Sequence, residues 1–213
     1  MSSDFPPLAR NRSFWGMTFA QFLGAFNDNL YKQLILLWCL QVSHGKADTW
    51  QPVAMFVFSI PFVFFSGYAG YLADKYSKQW IVILSKIAEV AIMLLGMLAF
   101  STSQLGFMLC VLFLMGTQSA FFGPSKYGIL PEIVHDTDLP KANGIFQLTT
   151  FMAIIFGMIF AGYVKKYFGE DLWRAGIPCV ALALLGTFAA FGVRKTPRLQ
   201  PDLKLRGSDL AIP

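Results

Sequence analysis

Asn27, Asp28, Asn29 and Lys32 stand where a bilayer would ordinarily have no polar group. They belong to the stretch Gly24-Ala25-Phe26-Asn27-Asp28-Asn29-Leu30-Tyr31-Lys32, inside an apolar run covering residues 14–40. That run is long enough to cross a membrane, since roughly 20 residues rising ~1.5 Å each span a hydrocarbon core of ~30 Å. An ionisable side chain near the bilayer centre costs roughly 2.5–3.5 kcal/mol even on the lenient insertion scale. Groups retained at that cost face a protected, wet interior, where an acid, a base and two amides can hold a charged solute or pass an ion.

At about 100° per residue, Gln21, Gly24, Ala25, Asp28 and Lys32 fall on one stripe of a helix. Asp28 and Lys32 are four apart in the favourable acid-before-base order, close enough to neutralise one another. The same pair also reads as a structural ion pair locking this helix to a neighbour. Further along, Lys86 and Glu89 lie three apart, about 9–13 Å from Trp80 at ~1.5 Å per residue. Lys86 has the reach to snorkel to the interface, which makes Glu89 the stronger candidate. Thr117, Gln118 and Ser119 either line a cavity or hydrogen-bond a neighbouring helix.

The elements that must position these groups are membrane helices. Hydrophobic residues make up 55% of the 213, charged ones 14%, and mean hydropathy is +0.54, whereas soluble domains carry about a quarter charged residues. Apolar spans are expected at 14–40, 53–72 (with Pro61), 80–101, 105–122, 145–164 and 175–193. Trp15, Trp50, Trp80 and Trp173 mark interfaces. The linkers are short, so consecutive spans are expected to be antiparallel neighbours; only residues 123–142 have room for structure of their own. Gly16, Ala20 and Gly24, and likewise Ala153 and Gly157, repeat every four residues and let helices approach closely. The expected fold is an all-α membrane protein of six transmembrane helices, with residues 1–193 the bundle and 194–213 a basic cytoplasmic linker or tail.

With the N-terminus inside, inner segments hold eleven basic residues (Arg10, Arg12, Lys75, Lys78, Lys126, Lys141, Arg194, Lys195, Arg198, Lys204 and Arg206) and outer loops four (Lys46, Lys165, Lys166 and Arg174). This bias puts both termini in the cytoplasm and accounts for the net charge of +5 without a nucleic-acid partner. Cys39, Cys110 and Cys179 sit in apolar spans without ligand spacing and read as reduced packing residues. No metal cluster, glycine-rich phosphate loop or Ser/His/Asp arrangement occurs, and His44 and His135 lie in different loops. Neither catalysis nor a cofactor is expected.

Between the second and third spans stands Gly70-Tyr71-Leu72-Ala73-Asp74-Lys75-Tyr76-Ser77-Lys78. It resembles the Gly-x-Leu-Ala-Asp-Arg-x-Gly-Arg signature of the major facilitator superfamily, with Lys for both Arg residues and Ser77 for the second Gly. In the bare residues, a Gly near a helix end permits close packing, and a carboxylate followed by bases makes a charge latch. The resemblance implies one half of a major facilitator fold, with Gly70, Asp74, Lys75, Lys78 and Lys126 in gating between inward- and outward-open states.

Three stretches narrow the resemblance to the bacterial lysophospholipid transporter family: residues 22–32, Phe122-Gly123-Pro124-Ser125-Lys126-Tyr127-Gly128-Ile129-Leu130-Pro131-Glu132, and Lys141-Ala142-Asn143-Gly144. This implies inward movement of lysophospholipid across the bacterial inner membrane by alternating access, for re-acylation. Gln21, Asn27, Asp28, Asn29, Lys32, Glu89 and Gln118 become candidate substrate-binding residues. Lys32 would meet the phosphate, Asp28 and Asn27 an ammonium, and Lys126 is a phosphate contact or latch. The competing reading is a carrier or exporter of another small solute or drug. Leu112 four residues before Gly116, and Gly157-Met158, depart from the pattern of proton-coupled drug exporters of the superfamily. Since such transporters have two six-helix halves, the chain is expected to need a second half or a copy of itself. An acyltransferase is a further expected partner, in cooperation or fused beyond residue 213.

Overall fold

The computed structural model describes residues 5–42, 47–169, 171–198, 200 and 203. Lys46, Glu170, Lys204 and Arg206, together with His44, lie outside the described residues, as does most of the 194–213 tail beyond Arg198. Among the described residues there are seven α-helices and no strand. They are α1 (Arg12–Val42), α2 (Ala47–Lys75), α3 (Lys78–Thr102), α4 (Leu105–Gly128), α5 (Leu130–Ile133), α6 (Leu139–Phe168) and α7 (Leu172–Phe191).

Six helices are long, and five of these, α2, α3, α4, α6 and α7, are long and apolar enough to cross a membrane. The sixth, α1, has 31 residues but carries the polar stretch at 27–32 that lowers its apolarity. The chain is an all-helical, multi-pass membrane protein. Residues 123–142, the linker expected to have room for structure of its own, are mostly helical. Helix α4 runs on through Pro124 to Gly128, then α5 and a 3₁₀ turn at Asp136–Asp138 lead into α6, which has Pro140 in its first turn. Proline is tolerated at a helix start because its missing N–H would have no partner there.

Helix pairing corrects the expectation that sequence neighbours pack side by side. The extensive contacts are α2 with α4, α3 with α7, α1 with α6, α1 with α7, and α3 with α4; α1–α2, α2–α3 and α6–α7 touch little. Exchanging the first three long helices for the last three maps this pattern onto itself. The contact α1–α6 becomes α4–α2, α1–α7 becomes α4–α3, and α3–α7 is its own image. The bundle is therefore two intertwined three-helix units; of the sequence-adjacent long helices, only α3 and α4 pack extensively on each other.

Small residues set the close approaches. A Cβ at Gly157 of α6 would lie 2.6 Å from the Phe26 carbonyl oxygen of α1, and one at Gly16 would lie 3.0 Å from that of Ala189 in α7. Gly116 of α4 meets the Phe58 carbonyl of α2, so this glycine serves α2–α4 packing. Gly70 departs from expectation: nothing lies within 4 Å of where its Cβ would be, so it mediates no close packing among the described residues. The cysteines are free; Cys39 and Cys179 are buried as expected, whereas Cys110 is exposed. Outward-facing side chains are large and apolar, among them Phe56, Phe64, Phe151 and Phe188, as a lipid-facing surface requires.

Candidate functional site

Three hydrogen-bonded chains of polar side chains cross the bundle and converge on one pocket. The first joins α3, α1 and α7. Lys86 Nζ meets Glu89 Oε2 at 2.6 Å, and Asn27 Nδ2 donates to Glu89 Oε1 and to the Cys179 carbonyl, both at 3.1 Å. Lys86 is 1% exposed; it does not snorkel. Its ammonium sits where glycine leaves room, since a Cβ at Gly24 would be 2.6 Å and one at Gly186 3.1 Å from Nζ. The intramembrane ion pair of this chain is thus Lys86–Glu89. Asp28–Lys32, expected from the spacing, is not among the ion pairs of the described residues.

The second chain joins α1, α4 and α3. Ser119 Oγ lies 2.9 Å from Asp28 Oδ2 and 3.2 Å from Gln118 Oε1, and Gln118 Nε2 donates to the Ser85 carbonyl at 3.1 Å. The third joins α4, α6 and α1. Lys126 Nζ reaches Thr150 Oγ1 at 3.5 Å, Thr150 donates to Gln21 Oε1 at 2.8 Å, and Gln21 Nε2 donates to Thr149 Oγ1 at 2.7 Å.

These chains wall a pocket of about 220 Å³ lined by Gln21, Asp28, Lys86, Glu89, Gln118, Ser119 and Lys126, with Phe62, Phe122 and Tyr127 as apolar walls. Lys86 and Glu89 neutralise each other. Asp28 and Lys126 line the same space with no ion-pair partner among the described residues. Chemically the pocket offers one anionic and one cationic contact, hydroxyl and amide groups between them, and aromatic surface alongside.

Of the residues expected here, Gln21, Asp28, Glu89 and Gln118 line the pocket, and Asn27 stands just behind Glu89. Asn29 does not line it; its amide donates to the Ala25 carbonyl of its own helix, and its Cβ faces Gly157 of α6. Lys32 does not line it either, its ammonium lying 4.4 Å from the centre of the Phe58 ring. Lys126 takes the place expected of Lys32. The helical period places Lys32 one turn beyond Asp28 on the same stripe, but the pocket ends at Asp28 because Phe58 of α2 closes over the next turn. The hydroxyls of Thr149 and Thr150 were not expected, although adjacent threonines inside an apolar span are a readable signal.

The proposed latch is assembled differently from its sequence order. Lys78 Nζ pairs with Glu132 Oε1 at 2.5 Å, tying the start of α3 to α5. Lys75 Nζ contacts its own neighbour Tyr71 at 2.8 Å. The Asp74 carboxylate is exposed, and only the Asp74 backbone carbonyl is engaged, by the Gln200 N–H at 3.0 Å.

Comparison with known proteins agrees with this architecture. The family model of the Major Facilitator Superfamily matches residues 16–210. The chain is 32% identical over 190 residues to the Lysophospholipid transporter LplT of Salmonella newport (strain SL254), and equally to those of Salmonella heidelberg (strain SL476) and Salmonella agona (strain SL483). Each alignment covers 84% of this chain and 43% of the relative, so the chain spans less than half the length of the curated relatives it matches. With a match over most of its residues, the chain belongs to the major facilitator superfamily of membrane transporters.

Proposed function

We propose that this chain forms the N-terminal half of a transporter that moves lysophospholipid inward across the bacterial inner membrane by alternating access. The observation that carries the reading is the presence of Asp28 and Lys126, opposite charges without ion-pair partners among the described residues, on one polar pocket with aromatic walls. A zwitterionic phosphoethanolamine head has the complementary charges. Lys126 would take the phosphate and Asp28 the ammonium, with Gln21, Gln118 and Ser119 completing the hydrogen bonds. Similarity to proteins named as lysophospholipid transporters supports the substrate class.

Both termini are placed in the cytoplasm by the bias of basic residues, and delivery there suits re-acylation. All six long helices then span the membrane, α1 included, its polar face covered inside the bundle. The pocket has walls from this chain alone, and a second six-helix half or a second copy would close it for transport.

The test is a titration of fluorescent lysophosphatidylethanolamine against the chain in nanodiscs, alongside uptake by the assembled transporter. Saturable binding that weakens about tenfold or more in Asp28→Ala and in Lys126→Met is expected, the scale of losing a charge-assisted contact in a dry site. Binding unchanged in both variants, or binding of small solutes in preference to the lysolipid, would overturn it.

A further inference from the structure

A second cavity lies on the flank of the bundle and is unlike the central pocket. It measures about 670 Å³ and runs between α3 and α4, with the end of α2 at its rim. Its walls are apolar, formed by Trp80, Leu84 and Ala88 of α3 and Leu114 and Phe121 of α4. It opens on the lipid-facing surface, where Trp80 is 55% and Leu84 60% exposed. One cation, Arg198, lines it.

Arg198 is held there by the chain that follows α7. Thr196, two residues earlier, is buried; its hydroxyl lies 3.1 Å from Ser77 Oγ and accepts the Gln79 N–H at 3.3 Å. Val193 is fixed as well, its carbonyl accepting from Gln79 Nε2 at 2.6 Å. Arg198 thus lines the groove together with Tyr76, Ser77 and Trp80, where α3 begins, and tryptophan is a residue type that favours the headgroup level.

The geometry points to a binding site for an anionic phospholipid of the surrounding membrane, with one acyl chain in the α3–α4 groove and its phosphate on Arg198. Charge complementarity selects this occupant: an open apolar groove with one exposed arginine on its lining matches an acyl chain ended by a phosphate. The site is separate from the central pocket. Gln118 borders both cavities, and its bond to the Ser85 carbonyl closes the wall between α3 and α4. A lipid seated in the groove packs against this wall and so bears on Gln118 and, through Ser119, on Asp28. The inference does not depend on which solute the central pocket carries.

Trp80 supplies the reporter. The chain is reconstituted in phosphatidylcholine vesicles containing a small fraction of phosphatidylglycerol or phosphatidylcholine with brominated acyl chains, and tryptophan quenching is read. The difference between wild type and Trp80→Phe isolates the Trp80 contribution from the other four tryptophans. Brominated phosphatidylglycerol should occupy the groove roughly five-fold more tightly than brominated phosphatidylcholine, the scale of one basic residue near an anionic surface. Arg198→Gln should abolish that preference, and Ala88→Phe, which fills the groove with Arg198 intact, should remove the Trp80 quenching for both lipids. Equal quenching by the two lipids in wild type would overturn the site, as would a preference that survives Arg198→Gln. Displacement of the brominated lipid by low mole fractions of lysophosphatidylethanolamine would assign the groove to the transported solute instead and likewise overturn it.

Discussion

Lys86 and Glu89 meet each other at 2.6 Å, Asn27 donates to Glu89, and the Lys86 ammonium sits in a socket that Gly24 and Gly186 leave open. Asp28 and Lys126 line the same pocket and have no counter-ion among the described residues. Both sets are opposite charges inside a membrane bundle, so burial alone does not separate them. What separates them is satisfaction. Charges that neutralise each other have less to offer a ligand, whereas charges without an ion-pair partner keep theirs for what enters the cavity. The first set, with Asn27, fastens α3 to α1 and α7, and the second is the one proposed to meet cargo.

The largest effect expected is on the closed set. Glu89→Ala strands the Lys86 ammonium and should destabilise the folded chain by about 3–5 kcal/mol, whereas the double replacement Lys86→Met with Glu89→Leu should recover most of that loss. Unfolding in detergent by heat or denaturant measures both. If Glu89→Ala unfolds like wild type yet abolishes uptake, Lys86–Glu89 belongs with the cargo site and the distinction fails.

Next in size comes the open set. Asp28→Ala in the assembled transporter should lower lysolipid uptake about tenfold or more while changing stability little, because Asp28 leaves behind only the Ser119 hydroxyl. Stability that falls as far as in Glu89→Ala would show Asp28 to be equally structural. The latch is expected to be smaller again. Lys78→Met frees Glu132 at the helix ends, away from the pocket, and should slow exchange between access states while leaving lysolipid affinity within about threefold, less than 1 kcal/mol. A spin or fluorophore pair spanning the α3–α5 contact reads the exchange, and unaltered exchange with lost affinity would place Lys78 in the binding site.

Much of this was legible in the sequence, and the failures have physical causes. The apolar spans stood out because a bilayer demands continuous apolar length, and five of them correspond to helices of that length and apolarity. Gly16 and Gly157 were readable as contacts because only small residues let backbones approach. Partner choice was not readable. The short linkers did not reveal that α1 packs on α6 and α7 while α2 packs on α4, since that symmetry lives in surfaces far apart in sequence. For the same reason Asp28 was matched with Lys32, its nearest base on the helix. The stripe says which face a residue shares; it does not say that Ser119 of α4 meets Asp28 while Phe58 of α2 meets Lys32. Lys126 was visible in the stretch Phe122–Glu132, but the fourth span was expected to end at residue 122, and the continuation of α4 through Pro124 brings that ammonium onto the pocket.

Lys32 gives the smallest effect and the sharpest test of the comparison, because it was the base expected to pair with Asp28. Its ammonium lies over the Phe58 ring at 4.4 Å and is half-buried between α1 and α2. Such a contact contributes about 0.5–2 kcal/mol depending on desolvation. Lys32→Met retains the length and apolar stem of the side chain, can still pack against Phe58, and strands no ion-paired carboxylate. It should therefore cost no more than the cation–aromatic attraction, and lysolipid uptake should stay within about threefold of wild type. Lys126→Met, by contrast, removes the only pocket-lining cation without an ion-pair partner among the described residues and should match Asp28→Ala in uptake. A reversed result, with Lys32→Met inactive and Lys126→Met active, would restore Asp28–Lys32 as the working pair and move the cargo site one turn along α1 toward Phe58.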